Sequence, residues 1–210
     1  MYSLGEIEVQ CKKAARGVGL SWGFAQEVGL VARHLVECNL PGSEAVLRSL
    51  KSIDYKGVFN ETEGIRSIEK LNSSTNGLFL GSFFLDRVLD FIGKDIYISE
   101  KIVGPLAVVG FLLRLKQEKY CFSVNWVDCT IRLDKYGFAV FGNNLNPEVV
   151  NGIRIEIFES NARALTIDLP EKRWPISNWD VLTEMANRTH VPTSEKSRLL
   201  GAGAGDNENE

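Results

Sequence analysis

The chain is poor in the residues that usually build a metal centre. It has two histidines and four cysteines among 210 residues, and Cys11, Cys38, Cys121 and Cys129 include no CxxC pair. A cysteine and histidine zinc site therefore has no local scaffold, and we predict no bound metal. We expect Cys11 and Cys38 to be small core residues, because both fall on apolar helical faces.

The sequence also lacks a Walker loop, a GxSxG elbow and an HExxH motif. Its longest apolar run, Ile102 to Leu113, is shorter than the roughly 18 residues of a membrane helix. The N-terminus has neither the basic nor the apolar region of a secretory signal, which predicts a cytoplasmic protein. With a net charge of −3 and a pI of about 5.6, we expect neither nucleic acid nor membrane as a partner.

Residues 1–53 predict a unit of three helices. Ser3 and Glu6 form a capping box, in which each side chain bonds a backbone N–H at the helix start. Apolar residues then recur at helical spacing. We expect Ser21 to cap the second helix and Ser43 to cap the third, after a stop at Leu40-Pro41-Gly42.

Residues 54–77 are polar and predict a loop or linker. Residues 78–192 predict an α+β body that opens with two apolar helices, one over residues 78–92 and one from Pro105 to about Gln117. From Tyr120 the apolar period changes to two, with Tyr120, Phe122, Val124 and Trp126 facing the core. Further strands are predicted at Ile131 and Leu133, at Phe138 and Val140, at Ile153, Ile155 and Ile157, and at Leu165 and Ile167.

The short loops between these strands favour hairpins and a mainly antiparallel sheet. Ser177 and Asp180 form a capping pair that opens a closing helix to about Asn187. The predicted fold class is α+β, with an N-terminal three-helix unit, central apolar helices, a mainly antiparallel sheet, a closing helix and a Gly-Ala tail over residues 193–210.

The segment from Arg188 to Gly205 has the densest polar chemistry of the chain. In one interpretation it is a short capped helix that stops at Gly201 and then frays. In the other it binds an anion at a helix N-terminus, where exposed N–H groups favour negative charge. The tentative ligand-binding residues of this second interpretation are Arg188, Thr193, Ser194, Glu195, Ser197, Arg198, Gly201 and Gly203.

Neither histidine by itself indicates a catalytic site. His190 lies near Arg188 and Glu195, which could tune its pKa, but no paired base or nucleophile accompanies it. His34 lies in a helix whose other face is apolar, and we interpret it as structural. The catalytic residues and any cofactor stay unknown at this point.

Three stretches resemble an uncharacterised bacterial family of unknown function, typical of proteobacteria. They are Glu6 through Gly42, Val103-Gly104-Pro105-Leu106, and the ending from Arg188-Thr189 to Gly201-Ala202-Gly203-Ala204-Gly205. The chain departs from that family where it continues to Asp206-Asn207-Glu208-Asn209-Glu210, and where His190 replaces an aromatic residue. The resemblance implies that the tail is a retained feature, and it names no activity.

Residues 15–50 are also similar to the opening of the type-2 malate/lactate dehydrogenases, which are NAD(P)-dependent oxidoreductases. The similar features are Gly17-Val18, Ala25 and Ala32, Leu35-Val36-Glu37, and Gly42 ahead of Ser43. Where that family has a Ser-His-Gly segment, this chain has Ser43-Glu44-Ala45, with the following arginine present as Arg48. Since the histidine is missing, the resemblance does not carry the dehydrogenase chemistry over.

Three functions remain open on the sequence. The first is a protein of bacterial metabolism that either assists a metabolic enzyme or binds a small anionic metabolite. The second is a small-molecule metabolic enzyme, related to oxidoreductases or not, with its site at the C-terminal segment and its chemistry built around Arg188, His190, Ser194, Glu195, Ser197 and Arg198. The third is a purely structural, oligomeric protein, and a homo-oligomer is compatible with the first two as well.

Overall fold

The computed structural model describes residues 1–55, 74–117, 120–134, 137–159 and 176–189. The helices are α1 (Leu4–Gly17), α2 (Trp22–Glu37), α3 (Gly42–Tyr55), α4 (Gly77–Asp86), α5 (Val88–Phe91), α6 (Leu106–Leu112) and α7 (Trp179–Asn187), with a 3₁₀ helix at Leu113–Gln117. The strands are β1 (Ser74–Asn76), β2 (Asp95–Val103), β3 (Tyr120–Trp126), β4 (Cys129–Asp134), β5 (Gly137–Gly142) and β6 (Val149–Glu159). The predicted α+β class is confirmed.

The first two helices start at the predicted caps. The N–H of Glu6 donates to Ser3 Oγ at 3.3 Å, and the N–H of Ser3 donates to the Glu6 carboxylate at 2.7 Å. At α2, the N–H of Phe24 donates to Ser21 Oγ at 3.3 Å. Local sequence is sufficient here because each cap satisfies its own helix end.

Two other predicted caps are wrong. α3 begins at Gly42, so Ser43 lies within the first turn, where its Oγ donates to Glu44 at 2.9 Å. Gly42 crosses the backbone of α2 so closely that a methyl group there would overlap the carbonyl of Ala32. α7 begins at Trp179, and Ser177 Oγ donates to Glu44 at 3.4 Å instead of capping it. Packing between helices determines both starts.

The segment predicted as a loop over residues 54–77 is shorter in the structure at both ends. α3 continues to Tyr55, β1 occupies Ser74–Asn76, and α4 begins at Gly77. Residues 56–73 lie outside the described ranges. The apolar stripe predicted as one helix over residues 78–92 is divided into α4 and α5 at Arg87, whose φ of −120° leaves the helical range.

The six strands form one sheet in the order β1-β2-β6-β3-β4-β5. All pairs are antiparallel except β1 with β2, so the mainly antiparallel sheet is confirmed for the described strands. β1 and β2 were not among the predicted strands. β6 lies between β2 and β3, and therefore links the early part of the sheet to the β3-β4-β5 meander.

One face of the sheet packs into the same apolar cluster as the helices. Phe122, Val124, Ile155 and Ile157 are fully buried there, and Trp126 is nearly so. The inward alternation predicted for β3 is confirmed at these positions, with Tyr120 only half-buried. Every residue of α6 is buried, because this helix packs against α2, α3 and α4.

Several predictions fall on residues outside the described ranges. They include the strand at Leu165 and Ile167, and the Gly-Ala tail. The division into a unit at 1–53, a linker at 54–77, a body at 78–192 and a tail at 193–210 stays a prediction. Within the described ranges, no helix combines the length and the apolar character needed to cross a membrane.

The four cysteines are all buried and form no disulfide, as expected for Cys11 and Cys38. Burial, with a smaller contribution from the charge of Glu44, raises the pKa of the Cys11 thiol to about 12. A raised thiol pKa lowers the thiolate fraction at neutral pH, and the thiolate is the reactive form.

We therefore expect no rapid alkylation of the folded protein by iodoacetamide near pH 8, and modification of all four cysteines in denaturant. Mass spectrometry of the products measures this. A cysteine that reacts in the folded protein as fast as a free thiol would contradict the burial described above.

Candidate functional site

Two side-chain contacts link α3 to the residues that flank α7. Near the N-terminal ends of the two helices, Ser177 Oγ donates to Glu44 at 3.4 Å. Near their C-terminal ends, the guanidinium of Arg188 donates to the Asp54 carboxylate at 2.6 Å. The two helices therefore run in the same direction.

Contacts with α1 determine the position of α7. Trp179 stacks on Tyr2, with ring centroids 3.7 Å apart, and Gln10 donates to Thr183 at 2.8 Å. Further along, Gly17 touches the backbone of Met185, where any side chain would overlap the Met185 carbonyl. The absence of a side chain at Gly17 therefore lets the backbone of α7 pack closely against α1.

A pocket of about 540 Å³ opens along α3, beside the end of β2 and the start of β6. Arg48 and Lys51 line it at positions i and i+3 of the helix, so both side chains are on one face. Val103 and Val149, which are paired across β2 and β6, form its apolar part. The remaining lining residues are Glu44, Leu47, Ser52, Glu148 and Asn178.

The pocket is lined by side chains of both charges. Glu44 already accepts hydrogen bonds from Ser43 and Ser177. Among the ion pairs of the described residues, none involves Arg48 or Lys51. Within the described ranges neither cation is compensated by a carboxylate, whereas Glu44 is partly satisfied by its two hydrogen bonds.

Further hydrogen bonds hold the polar residues of the pocket in position. The Asn76 amide donates to the Ser49 carbonyl at 2.9 Å and to Ser52 Oγ at 3.2 Å, so the Ser52 hydroxyl can donate its own proton elsewhere. The N–H of Gly104 donates to the Glu148 carbonyl at 2.8 Å. β1 and the turn after β2, both absent from the sequence prediction, thus support the pocket.

Of the predicted tail residues, only Arg188 lies within the described ranges. It follows α7, and its bond to the Asp54 carboxylate raises the pKa of its guanidinium. Its charge is therefore compensated by Asp54. The other predicted binding residues, and His190, are outside the described ranges: Thr193, Ser194, Glu195, Ser197, Arg198, Gly201 and Gly203.

His34 is half-buried on α2, close to the helix end, and its structural role stays a prediction. Within the described ranges, no three histidine, cysteine or acidic side chains lie close enough together to hold a metal ion. The lining of the α3 pocket supplies charged groups of both signs and hydrogen-bonding groups.

Comparison with known proteins connects the first third of the chain to a family. Residues 2–76 match the model of a family described as a protein of unknown function (DUF3726). The predicted resemblance to an uncharacterised family is confirmed over this span, which includes α1, α2, α3 and β1. No curated protein and no solved structure matches the chain.

The sequence prediction missed the α3 pocket because most of its walls are distant in sequence. The sequence could have indicated that Arg48, Lys51 and Ser52 lie close together, since their spacing puts them on one helical face. It could not have indicated Glu148 and Asn178, because only the tertiary fold brings these residues to α3.

Proposed function

We propose that the protein binds a small anion in the α3 pocket, with Arg48 and Lys51 as the charged ligands of that anion. The observation that carries this proposal is two cations on one face of α3, both without an ion-pair partner among the described residues. Elsewhere, Arg33, Arg114 and Arg188 are compensated by carboxylates.

The size of the pocket supports a metabolite-sized ligand. Small-molecule pockets typically enclose about 300–1,000 Å³, and this one holds about 540 Å³. Arginine binds a carboxylate or phosphate in a bidentate manner, and lysine adds a mobile point charge. The Ser52 hydroxyl and the Asn178 amide can supply further hydrogen bonds to the same group.

The two carboxylates narrow the ligand class. Glu44 and Glu148 would repel an anion whose whole surface is negative, but they can accept hydrogen bonds from hydroxyl or ammonium groups. The ligand that satisfies both the two cations and the two carboxylates is a small carboxylate or phosphate that also carries a hydroxyl or an amino group.

Titration calorimetry of the purified protein with a panel of small anions, some with and some without a hydroxyl or an amino group, tests the proposal. The panel contains inorganic phosphate, a dicarboxylate, a hydroxy acid and an acidic amino acid. We expect one of these classes to bind the wild type, and the double variant Arg48→Gln, Lys51→Gln to lose that binding. Removing one charged hydrogen bond typically costs about 1.5–3 kcal/mol, which is roughly 10- to 100-fold in affinity.

Lys13→Gln is the matched control, since Lys13 is an exposed cation of α1 outside the pocket. It should bind like the wild type. Absence of binding by the whole panel, or equal binding by wild type and double variant, would refute the assignment of Arg48 and Lys51.

The enzyme hypothesis remains the second candidate. Its support is the Arg188–Asp54 pair, which brings the start of the C-terminal segment to the end of α3. Product analysis after incubation with the bound compound distinguishes the two, because an enzyme converts it and a binding protein returns it unchanged. The accessory role for a metabolic enzyme, the bacterial origin and the similarity to type-2 malate/lactate dehydrogenases stay predictions.

A further inference from the structure

Glu44 and Arg48 carry opposite charges on neighbouring turns of α3, and both line the pocket. A glutamate four positions before an arginine has the spacing and the order that favour an ion pair on a helix. Arg33 and Glu37 pair at the same spacing on α2, with 3.0 Å between Arg33 Nε and the carboxylate. Within the described ranges, however, Glu44 and Arg48 form no ion pair. The two charges of α3 therefore do not neutralise each other.

Serine hydroxyls determine where the Glu44 carboxylate lies. Ser43 Oγ donates to Glu44 Oε2 at 2.9 Å, and Ser177 Oγ, just before α7, donates to Glu44 Oε1 at 3.4 Å. Both donors lie at the start of a helix, whereas Arg48 is one turn further along α3. Since each carboxylate oxygen can accept a second hydrogen bond, the protein positions Glu44 and leaves it acceptor capacity for a ligand.

Burial distinguishes these two charges from the others in the pocket. Glu44 and Arg48 are half-buried, whereas Lys51 and Glu148 are exposed. Water solvates an exposed charge, but a half-buried charge loses part of its hydration and needs a partner to replace it. The pocket therefore gains most from a ligand that brings a positive group to Glu44 and a negative group to Arg48.

We propose that the ligand of the α3 pocket is an acidic α-amino acid, whose ammonium group binds Glu44 and whose α-carboxylate binds Arg48. This inference rests on the proposed function and names the ligand class of that same site. Lys51 is three positions after Arg48 on the same helical face and binds the side-chain carboxylate of the ligand. Each cation of the pocket then has one carboxylate, and the half-buried glutamate has the ammonium group.

The spacing along α3 fits two groups attached to one carbon atom. Side chains at positions i and i+4 of a helix have Cβ atoms about 5–6 Å apart, so the ends of Glu44 and Arg48 can reach a single compact ligand. An ammonium group has three donors. The Asn178 amide oxygen can accept one of them, because this side chain does not cap α7. A hydroxyl group offers one donor and no positive charge, and so satisfies Glu44 less well.

Titration calorimetry of the full chain with L-aspartate, L-malate and succinate tests the proposal. These compounds share one carbon skeleton and both carboxylates, and differ only in an ammonium, a hydroxyl or a hydrogen at the same position. We expect the wild type to bind aspartate at least about 10-fold more tightly than malate or succinate, as a charged hydrogen bond usually contributes. Glutamate, 2-hydroxyglutarate and glutarate form a second series. Absence of the preference from both series would overturn the proposal.

Glu44→Gln removes the charge that selects the ammonium group and keeps the shape of the side chain. We expect this variant to bind aspartate no more tightly than malate. Glu156→Gln is the control, since Glu156 is exposed on β6 outside the pocket, and it should keep the preference of the wild type. A Glu44→Gln variant that still prefers aspartate would contradict the assignment of Glu44.

A neutral amino acid tests the contribution of Lys51. L-Alanine keeps the ammonium and the α-carboxylate but lacks the second carboxylate. We expect the wild type to bind alanine at least about 10-fold more weakly than aspartate, and Lys51→Gln to remove most of this difference. Equal binding of alanine and aspartate by the wild type would overturn the assignment to an acidic amino acid.

The same measurements separate this inference from the proposed function. Equal binding of aspartate, malate and succinate that is lost in the Arg48→Gln, Lys51→Gln double variant would leave the anion site standing and overturn the amino acid assignment. A preference for aspartate that persists in the double variant would overturn both, because the ligand would then not depend on the two cations.

Discussion

Replacing Phe122 with alanine should lower the free energy of unfolding by roughly 3–5 kcal/mol, as truncating a buried phenylalanine usually does. Phe122 is fully buried in β3, opposite Leu133 of β4 on one side and Ile157 of β6 on the other. The lost side chain leaves a cavity that the two neighbouring strands cannot fill, because their own ladders hold them in place.

Urea unfolding followed by circular dichroism measures this loss. Leu89→Ala is the matched control, because it removes a large apolar side chain that is 73% exposed. The control should change the stability by less than about 0.5 kcal/mol, as surface substitutions usually do. Equal midpoints for wild type and Phe122→Ala would mean that β3 does not face the core as described.

Replacing Gly17 with alanine should release α7 from α1. The added methyl group would overlap the carbonyl of Met185, which belongs to a helix backbone and cannot rotate away. Overpacking of this kind typically costs about 1–3 kcal/mol. We expect the cost to appear locally as well, as faster hydrogen exchange of Trp179–Asn187.

Gly5→Ala is the control within the same helix, since nothing lies near a methyl group at that position. It should leave both stability and exchange of α7 unchanged or slightly improved, because alanine favours the helix. Unaltered exchange of α7 in Gly17→Ala would show that the close contact between α1 and α7 is not maintained in solution.

The Gly17 substitution also probes the candidate site. α7 begins beside Asn178, which lines the α3 pocket, and is followed by Arg188, which pairs with Asp54. Release of the helix should therefore weaken ligand binding in the pocket, although Gly17 lies outside it. The Gly5→Ala variant should bind as well as the wild type.

Much of the secondary structure could be predicted from short-range patterns. The Ser3–Glu6 capping box and the alternation of Phe122, Val124 and Trp126 depend on residues two or three positions apart. β2 was missed although Ile96, Ile98 and Ile102 alternate in the same way. Glu100 interrupts the apolar series between Ile98 and Ile102, although the alternation of burial continues through the bulge between Ile98 and Lys101.

The candidate site could be predicted only in part. The C-terminal segment was selected for its polar composition, and of its predicted residues Arg188 lies in the described part of the chain, paired with Asp54. The spacing of Arg48 and Lys51 is enough to predict that both lie on one face of a helix. Their proposed role in a pocket could not be predicted, because Glu148, Val149 and Asn178 reach α3 only through the tertiary fold.

The sequence by itself determined where most of the described helices and strands form, which side chains many of them bury and that Cys11 and Cys38 are core residues. These properties depend on hydrophobic periodicity and local capping, which neighbouring residues specify. Tertiary structure alone decided the insertion of β6 between β2 and β3, the start of α3 at Gly42 and the alignment of α7 with α3. Asp54 and Arg188 are 134 positions apart, and only packing of the whole chain brings such groups together.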